Sequence, residues 1–475
     1  MNTATFHSIP PVRVALVPAM ADLYRKHRPE LPDQFAGHWQ TMLEPLWGEA
    51  ADVTTTSVVH TASDLSSAIA AVEQAGAACL CLLLMTYTPS GELLPPLLRT
   101  RLPLLLLSSA WDATLPYDMT AEHLLRNQAM HGVMDLTNAL RRHERPFVVL
   151  AGHPSQPEFG VRLQAALCAA AGARAMQSAR IGRVGEFPGM LDFTFSEKSK
   201  DSALGFEVIP LPPESLVQAA LDADVDDLAA ERAWASGLFQ RVPDMTAEEL
   251  DAGLRISLAL RRMVLENNLN GVGMSFLSLL EAGAESLPFL GASRLMAEGV
   301  AYAGEGDILT PLLQTALRHT CGATGFTEWF CPDYARNEIL LSHMGECNLE
   351  LAHPGRPLLL RARKFAWGNC RRVPVAVFQM RPGPVTLVSI SEAPPRVPGA
   401  FQLLGVRGDL LEAPEHVRLE VPYSRLRLPG GLPDFVESYS RHGGTHHAAL
   451  VYGNALPALR QMTQYLGLAM QELTA

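Results

Sequence analysis

The sequence predicts an α/β protein: two Rossmann-like (flavodoxin-like) domains with parallel sheets, followed by an antiparallel, barrel-like β domain. Three observations predict it. The first third alternates short apolar runs with helical stretches, a second α/β texture starts near residue 178, and beyond about residue 325 the chain breaks into short strand-like runs. Strands separated by helices pair in parallel with right-handed crossovers. Strands that are apolar throughout fit a sheet covered on both faces. The expected domains are residues 1–177, 178–325 and 326–475. A chain of 475 residues has room for about three domains.

In the first domain, residues 12–17, 52–59, 78–85, 102–108 and 147–151 read as strands, and 37–50, 63–75 and 120–142 as helices. The runs at 78–85 and 102–107 are apolar but short and bounded by turn residues, which marks buried strands. No segment reaches the ~18 consecutive apolar residues of a membrane helix. Ligands of such sheets sit beyond the carboxyl ends of the strands, which directs attention to loops 86–91 and 110–119. The first strand runs into Val17-Pro18-Ala19-Met20, not a glycine-rich fingerprint, so no dinucleotide motif is present. In the second domain, 181–184, 206–209 and 271–276 read as strands, and 290–299 and 310–319 as helices. A long helix over 246–267 opens on Thr246 and Glu249, a capping-box pattern. In the third domain, strands are expected at 339–342, 357–362, 373–379, 385–389 and 417–422, punctuated by Pro382, Pro384, Pro394, Pro395 and Pro398. A helix is expected over 458–473.

Composition narrows the function. Lys and Arg number 38 against 49 Asp and Glu, a net charge of −11. An acidic chain lacks the basic footprint of a nucleic-acid binder and is repelled by an anionic membrane surface. Hydrophobic residues make up 48%, enough for sizeable cores. Residues 1–11 show no basic stretch followed by an apolar run, so no signal peptide is expected. Seven cysteines at irregular spacing read as reduced thiols of a cytoplasmic protein, not as a disulfide framework or zinc ribbon.

Four segments concentrate chemistry. Gly304-Glu305-Gly306-Asp307 sets a carboxylate in a tight turn; the plain alternative is a turn with Asp307 as helix N-cap. Thr327-Glu328-Trp329-Phe330 sets a carboxylate beside two aromatics, where desolvation would suit proton transfer, unless Glu328 faces solvent from a half-buried strand. Ser342-His343-Met344-Gly345-Glu346 follows an apolar run; a histidine there is a metal ligand or a satisfied core residue. His442-Gly443-Gly444-Thr445-His446-His447 packs three of the chain's 15 histidines into six residues, which suits metal or substrate contact or a mobile surface loop. None of these spacings is a local metal signature, so a site made from them must be assembled by the fold.

In order, these segments resemble the L-arabinose isomerase family of the arabinose/fucose isomerase superfamily. Ala303 to Asp307 is similar to its A-G-E-G-D segment, Glu328 to its second carboxylate segment, Ser342-His343-Met344 with Glu346 to its S-H-M-x-E segment, and Gly443 to His447 to its G-G-x-H-H segment. Asn127-Gln128-Ala129-Met130-His131-Gly132 resembles its N-Q-x-x-H-G stretch. The resemblance implies a divalent cation, usually Mn²⁺ with Co²⁺ or Mg²⁺ as alternatives, on Glu305, Glu328, His343 and His447. Glu305 and Glu328 would also move protons. It further implies sugar contacts from Gln128, His131, Met190, Phe276 and His446. A homo-oligomer, usually a hexamer built as a dimer of trimers, would complete the site at a subunit boundary.

The implied reaction interconverts an aldose and its ketose through a cis-enediol(ate). Two departures bear on the sugar. Val17 to Tyr24 stands where the family carries a G-S-Q-x-L-Y-G segment; Leu23-Tyr24 is kept but the sugar-contacting glutamine is missing, and Phe330 replaces a tyrosine. Losing groups matched to substrate hydroxyls costs discrimination, which leaves the sugar open. A metal-dependent epimerase, an isomerase of a modified sugar and a non-catalytic sugar-binding relative are the alternatives.

Overall fold

The computed structural model describes residues 11–197, 204–241, 245–397, 399–414 and 418–473. The expected signal-free start, residues 1–10, lies outside them. Backbone contacts divide the chain into a front unit, residues 11–175 with 458–468, and a second unit, residues 176–457 with 469–473.

The front unit is built on a five-stranded parallel sheet. Its strands are β1 (Val12–Ala19), β2 (Ala51–Thr55), β3 (Cys79–Leu84), β4 (Leu104–Ser108) and β5 (Val148–Ala151), in the order β2-β1-β3-β4-β5. Every residue of β3 is buried, as the uninterrupted apolar text requires of a central strand flanked on both faces. Ala15, Val17, Leu80, Leu82 and Leu106 join Leu65, Ile69, Val133 and Leu136 from the helices Ala62–Gln74 and Ala129–Arg142 in one core. The helix expected over 120–142 is two helices, Ala121–Asn127 and Ala129–Arg142, broken at Gln128. The Asn127 side chain explains the break. Its amide donates to Asp112 Oδ2 and to the His123 carbonyl, both at 2.8 Å, while its oxygen accepts from the Asp112 N–H. A side chain committed to neighbouring backbone competes with the helix.

The second unit begins with a four-stranded parallel sheet. Its strands are β6 (Arg180–Val184), β7 (Glu207–Leu211), β9 (Gly271–Met274) and β10 (Ala301–Gly304), in the order β10-β9-β6-β7. The helix Ala247–Glu266 starts at Thr246 with the expected reciprocal capping box to Glu249. A small sheet joins β8 (Gln240–Arg241), β13 (Leu359–Arg363) and β14 (Val373–Val377).

The rest is a closed antiparallel barrel of six strands: β11 (Thr324–Asp333), β12 (Glu338–Ser342), β15 (Gly383–Glu392), β16 (Phe401–Leu411), β17 (Tyr423–Arg427) and β18 (His447–Tyr452). The ring runs β15-β18-β11-β12-β17-β16 and closes by pairing of β15 with β16. β19 (Ala469–Leu473) adds in parallel to β16. Leu341, Leu387, Leu404, Leu426 and Leu450, at most 1% exposed, share one apolar cluster.

Two expectations are corrected here. The strand expected at 417–422 is Tyr423–Arg427, paired with β12. The expected helix over 458–473 stops at Leu466 and gives way to β19. Gly467, at φ +66°, supplies the left-handed turn that ends a helix, and the residues beyond pair with β16 instead. No helix among the described residues is long and apolar enough to cross a membrane.

Candidate active site

The site begins where β10 ends. Gly304 closes the strand and Glu305 follows in a left-handed conformation at φ +62°, a state that costs a non-glycine residue roughly 1–3 kcal/mol and that persists where the surroundings enforce it. A Cβ on Gly304 would lie 2.5 Å from Cε1 of His343, so only glycine lets that imidazole lie against the strand end. Asp307 is fully buried. Its Oδ1 accepts from the N–H groups of Leu309 and Thr310, at 2.8 and 3.1 Å, where the helix Leu309–Cys321 starts. Its Oδ2 lies 3.0 Å from Nδ1 of His447. The helix-starting role and the site role therefore meet in one carboxylate.

The barrel brings the other groups. Glu328 of β11 stands opposite Ser342 on β12 and opposite His447 on β18. Directly paired residues project from the same face, so Glu328 and His447 share one face, and His343 follows at the end of β12. His447 has no exposure; its Nε2 lies 3.4 Å from Glu305 Oε2 and makes no hydrogen bond. His446 places Nε2 3.2 Å from Glu305 Oε2 and 3.9 Å from Glu328 Oε1, while its Nδ1 lies 2.9 Å from Asp192 Oδ2. His343 is buried with Nδ1 3.0 Å from Glu346 Oε1, but off the hydrogen-bond direction, so neither ring nitrogen is hydrogen-bonded. Tyr302 donates its hydroxyl to the same Glu346 oxygen at 3.2 Å. Phe193 stacks on the His447 ring at 4.4 Å, and Phe326 packs edge-on against it at 4.8 Å.

The electrostatics follow from this packing. Burial alone would raise the Glu305 carboxyl, yet His446 and His447 hold it well below the usual carboxylate range. Burial alone would lower His446, yet its bonds to Asp192 and Glu305 raise it to about 10. His343 is likewise raised, Glu346 outweighing burial.

Ligand atoms of Glu305, His446 and His447 lie within 4.8 Å of one another. Glu328 reaches this group through His446, and the His343 ring lies 5.5 Å from the His447 ring. Two buried imidazole nitrogens without hydrogen bonds, Nε2 of His343 and of His447, stand beside the carboxylates. Buried polar atoms are normally satisfied, so the vacancy in their bonding fits a cation ligated by nitrogen and oxygen.

The sequence model of the L-arabinose isomerase central domain matches residues 203–322, and that of the L-arabinose isomerase C-terminal domain matches residues 323–469. This chain belongs to the L-arabinose isomerase family. It is an aldose–ketose isomerase by that membership. The L-arabinose isomerase of Nocardioides sp. is 29% identical over 383 residues, 77% of this chain and 74% of that protein. Those of Vibrio parahaemolyticus and Acidothermus cellulolyticus are 26% and 27% identical, covering 82% and 81% of this chain and 80% and 78% of their own.

The remaining residues suggested by the likeness to L-arabinose isomerases are spread over the fold. Gln128 and His131 belong to the front unit, where Gln128 donates to the Tyr24 hydroxyl at 2.8 Å and His131 stacks on Tyr87 at 4.8 Å. Met190 is half-buried beyond β6. Phe276 is buried in an aromatic cluster with Phe187, Phe365 and Trp367. Sequence reasoning passed over Asp192, Phe193 and Tyr302, and it named Glu346 within the His343 segment without giving it a part in the site. Glu346 had a signal, three residues after His343; Asp192 and Phe193 had none, because their partners lie some 250 positions away.

Proposed function

We propose that this member of the family interconverts an open-chain aldose and its ketose, with Glu305, Glu328, His343 and His447 holding a divalent cation. Mn²⁺ suits a mixed oxygen and imidazole donor set, with Co²⁺ and Mg²⁺ as alternatives. The observation that carries the reading is the meeting of three separate segments at His447: Glu328 paired with it across the barrel, Glu305 3.4 Å from its Nε2, and that nitrogen buried without a hydrogen bond. When bound, the cation supplies Lewis-acid polarisation of the sugar carbonyl and keeps neighbouring carboxylates ionised.

The chain's own groups handle the protons. One of Glu305 and Glu328 takes the proton from C2 and returns it at C1, through a cis-enediol. The other, with His446, relays the proton that O2 gives up and O1 gains. Positioned acid–base assistance of this kind contributes typically ~10²–10⁴-fold. Held far below the usual range, the Glu305 carboxyl is ionised at neutral pH.

The departures from the family pattern favour a sugar other than L-arabinose. Ala21, which takes the glutamine's place when Leu23-Tyr24 is set on the family's L-Y, is buried in the front unit. It offers no side-chain polar group to a substrate. Incubation with L-arabinose and a panel of aldoses, scored for ketose and for C2 epimer, decides between isomerase and epimerase. Ketose formation lost in EDTA and restored by Mn²⁺ supports the reading. Glu305→Gln or Glu328→Gln should abolish turnover in a folded protein, and near-normal rates in either variant refute the assignment. We also propose a homo-oligomer, a hexamer by family likeness, in which Gln128 and His131 complete a neighbour's site; an active monomer in light scattering removes that part.

A further inference from the structure

We propose that Asp192 is a positioning residue for His446, acting through the imidazole to aim its Nε2 at the reacting oxygens; the proposal rests on the isomerase reading above. The segment that carries Asp192 follows β6 and is tied at both ends. Near its start, Ser278 Oγ donates to the Glu186 carbonyl at 3.0 Å and accepts from the Glu186 N–H at 3.3 Å. Near its end, the N–H and hydroxyl of Ser196 reach Glu392 Oε1 at 3.2 and 2.9 Å. Between these ties, two consecutive side chains meet two consecutive histidines. Asp192 Oδ2 lies 2.9 Å from His446 Nδ1, and Phe193 stacks on His447 with its ring 5.1 Å from that of His446.

An ionised carboxylate can only accept, so Asp192 keeps the proton on Nδ1 and turns Nε2 toward Glu305 and Glu328, 3.2 and 3.9 Å away. His447 is oriented in the same way by Asp307. The consequence differs, because His446 is one-third exposed while His447 has no exposure. Of the two, His446 is the one an incoming sugar can reach. A histidine on a glycine-flanked loop has many rotamers, and Asp192 selects the one that faces the carboxylates.

The test compares Asp192→Ala, Asp192→Asn, His446→Ala and the double variant Asp192→Ala/His446→Ala. Asp192→Ala should lower kcat about 10–100-fold, the usual effect of losing such a supporting partner, with KM and Mn²⁺ affinity near wild type. Asp192→Asn, which still offers an oxygen to Nδ1–H, should recover most of that loss. Removing Asp192 from the His446→Ala protein should cost nothing more, since the two act as a unit. A wild-type kcat in Asp192→Ala overturns the proposal, as does an equal loss in the His446→Ala background. A crystal structure of Asp192→Ala decides independently of turnover. The His446 ring leaving hydrogen-bond reach of Glu305 supports the proposal, and an unmoved ring overturns it. If wild-type protein converts no aldose of the panel, the isomerase reading falls while the ring position still judges Asp192.

Discussion

Replacing Asp307 by asparagine separates the metal reading from ordinary stability. The asparagine has the same shape but carries one acceptor and one donor. Two helix N–H groups, of Leu309 and Thr310, point at Oδ1, and one imidazole nitrogen faces Oδ2. Two bonds outweigh one, so the amide oxygen stays on the helix and the NH₂ group faces Nδ1 of His447. The imidazole must then accept at Nδ1, which places its proton on Nε2, the nitrogen that faces Glu305. Keeping Nε2 free for a cation would instead leave two buried donors opposed, at about 1–3 kcal/mol. At 1.4 kcal/mol per tenfold change, Mn²⁺ affinity should fall roughly 5- to 150-fold. The helix start is retained, so the melting temperature without metal should stay close to wild type. Calorimetric titration with Mn²⁺ and a thermal melt measure the two quantities. Wild-type affinity in a folded Asp307→Asn protein would mean that His447 does not ligate through Nε2, and the metal proposal would lose its centre.

Gly304→Ala should weaken Mn²⁺ binding and lower the melting temperature together, because the added methyl falls 2.5 Å from the His343 ring; unchanged binding would show that His343 need not lie against the strand end. Glu249 tests a purely structural pair. Its carboxyl is held below the ordinary 4.5, first by Arg372 at 2.6 Å and against the opposing effect of burial. A depressed carboxyl contributes stability above its unfolded value, which is lost as pH falls through the lower folded value. Glu249→Gln should therefore melt earlier than wild type at pH 7, with the gap closing as the pH drops below 4.5; a gap independent of pH refutes the ion-pair account.

The fold was legible wherever local pattern and tertiary demand coincide. β3 and β4 read directly, because a strand buried on both faces must be apolar at every position. The capping box at Thr246 read directly because it is satisfied locally. β16 did not, and of β11 only the stretch around Glu328 reads as a half-buried strand. The text of β16 includes Gly405, Arg407, Gly408 and Asp409, a poor strand pattern by propensity. A Cβ on Gly408 would lie 2.8 Å from the Arg427 carbonyl, so the close approach of β17 selects glycine there against local preference. The candidate ligands were legible only through family likeness, since no spacing between positions 305 and 447 encodes their meeting.

What joins those positions is barrel register. Glu328 faces His447 on one side and Ser342 on the other, and both pairings hold at once only in a single alignment of three strands. A slip of one residue turns every side chain of a strand to the opposite face. In β18 such a slip would set Ala448 or His446 against Glu328 and carry His447 away from Asp307. An open sheet could relieve such a slip at its edge, but here β15 pairs with both β18 and β16, and the ring has no free end. Closure therefore does more than remove sticky edges. It holds the register on which the spacing of the carboxylates and imidazoles depends, while the strained Glu305 turn, anchored by Asp307, brings the last carboxylate to them from the neighbouring sheet.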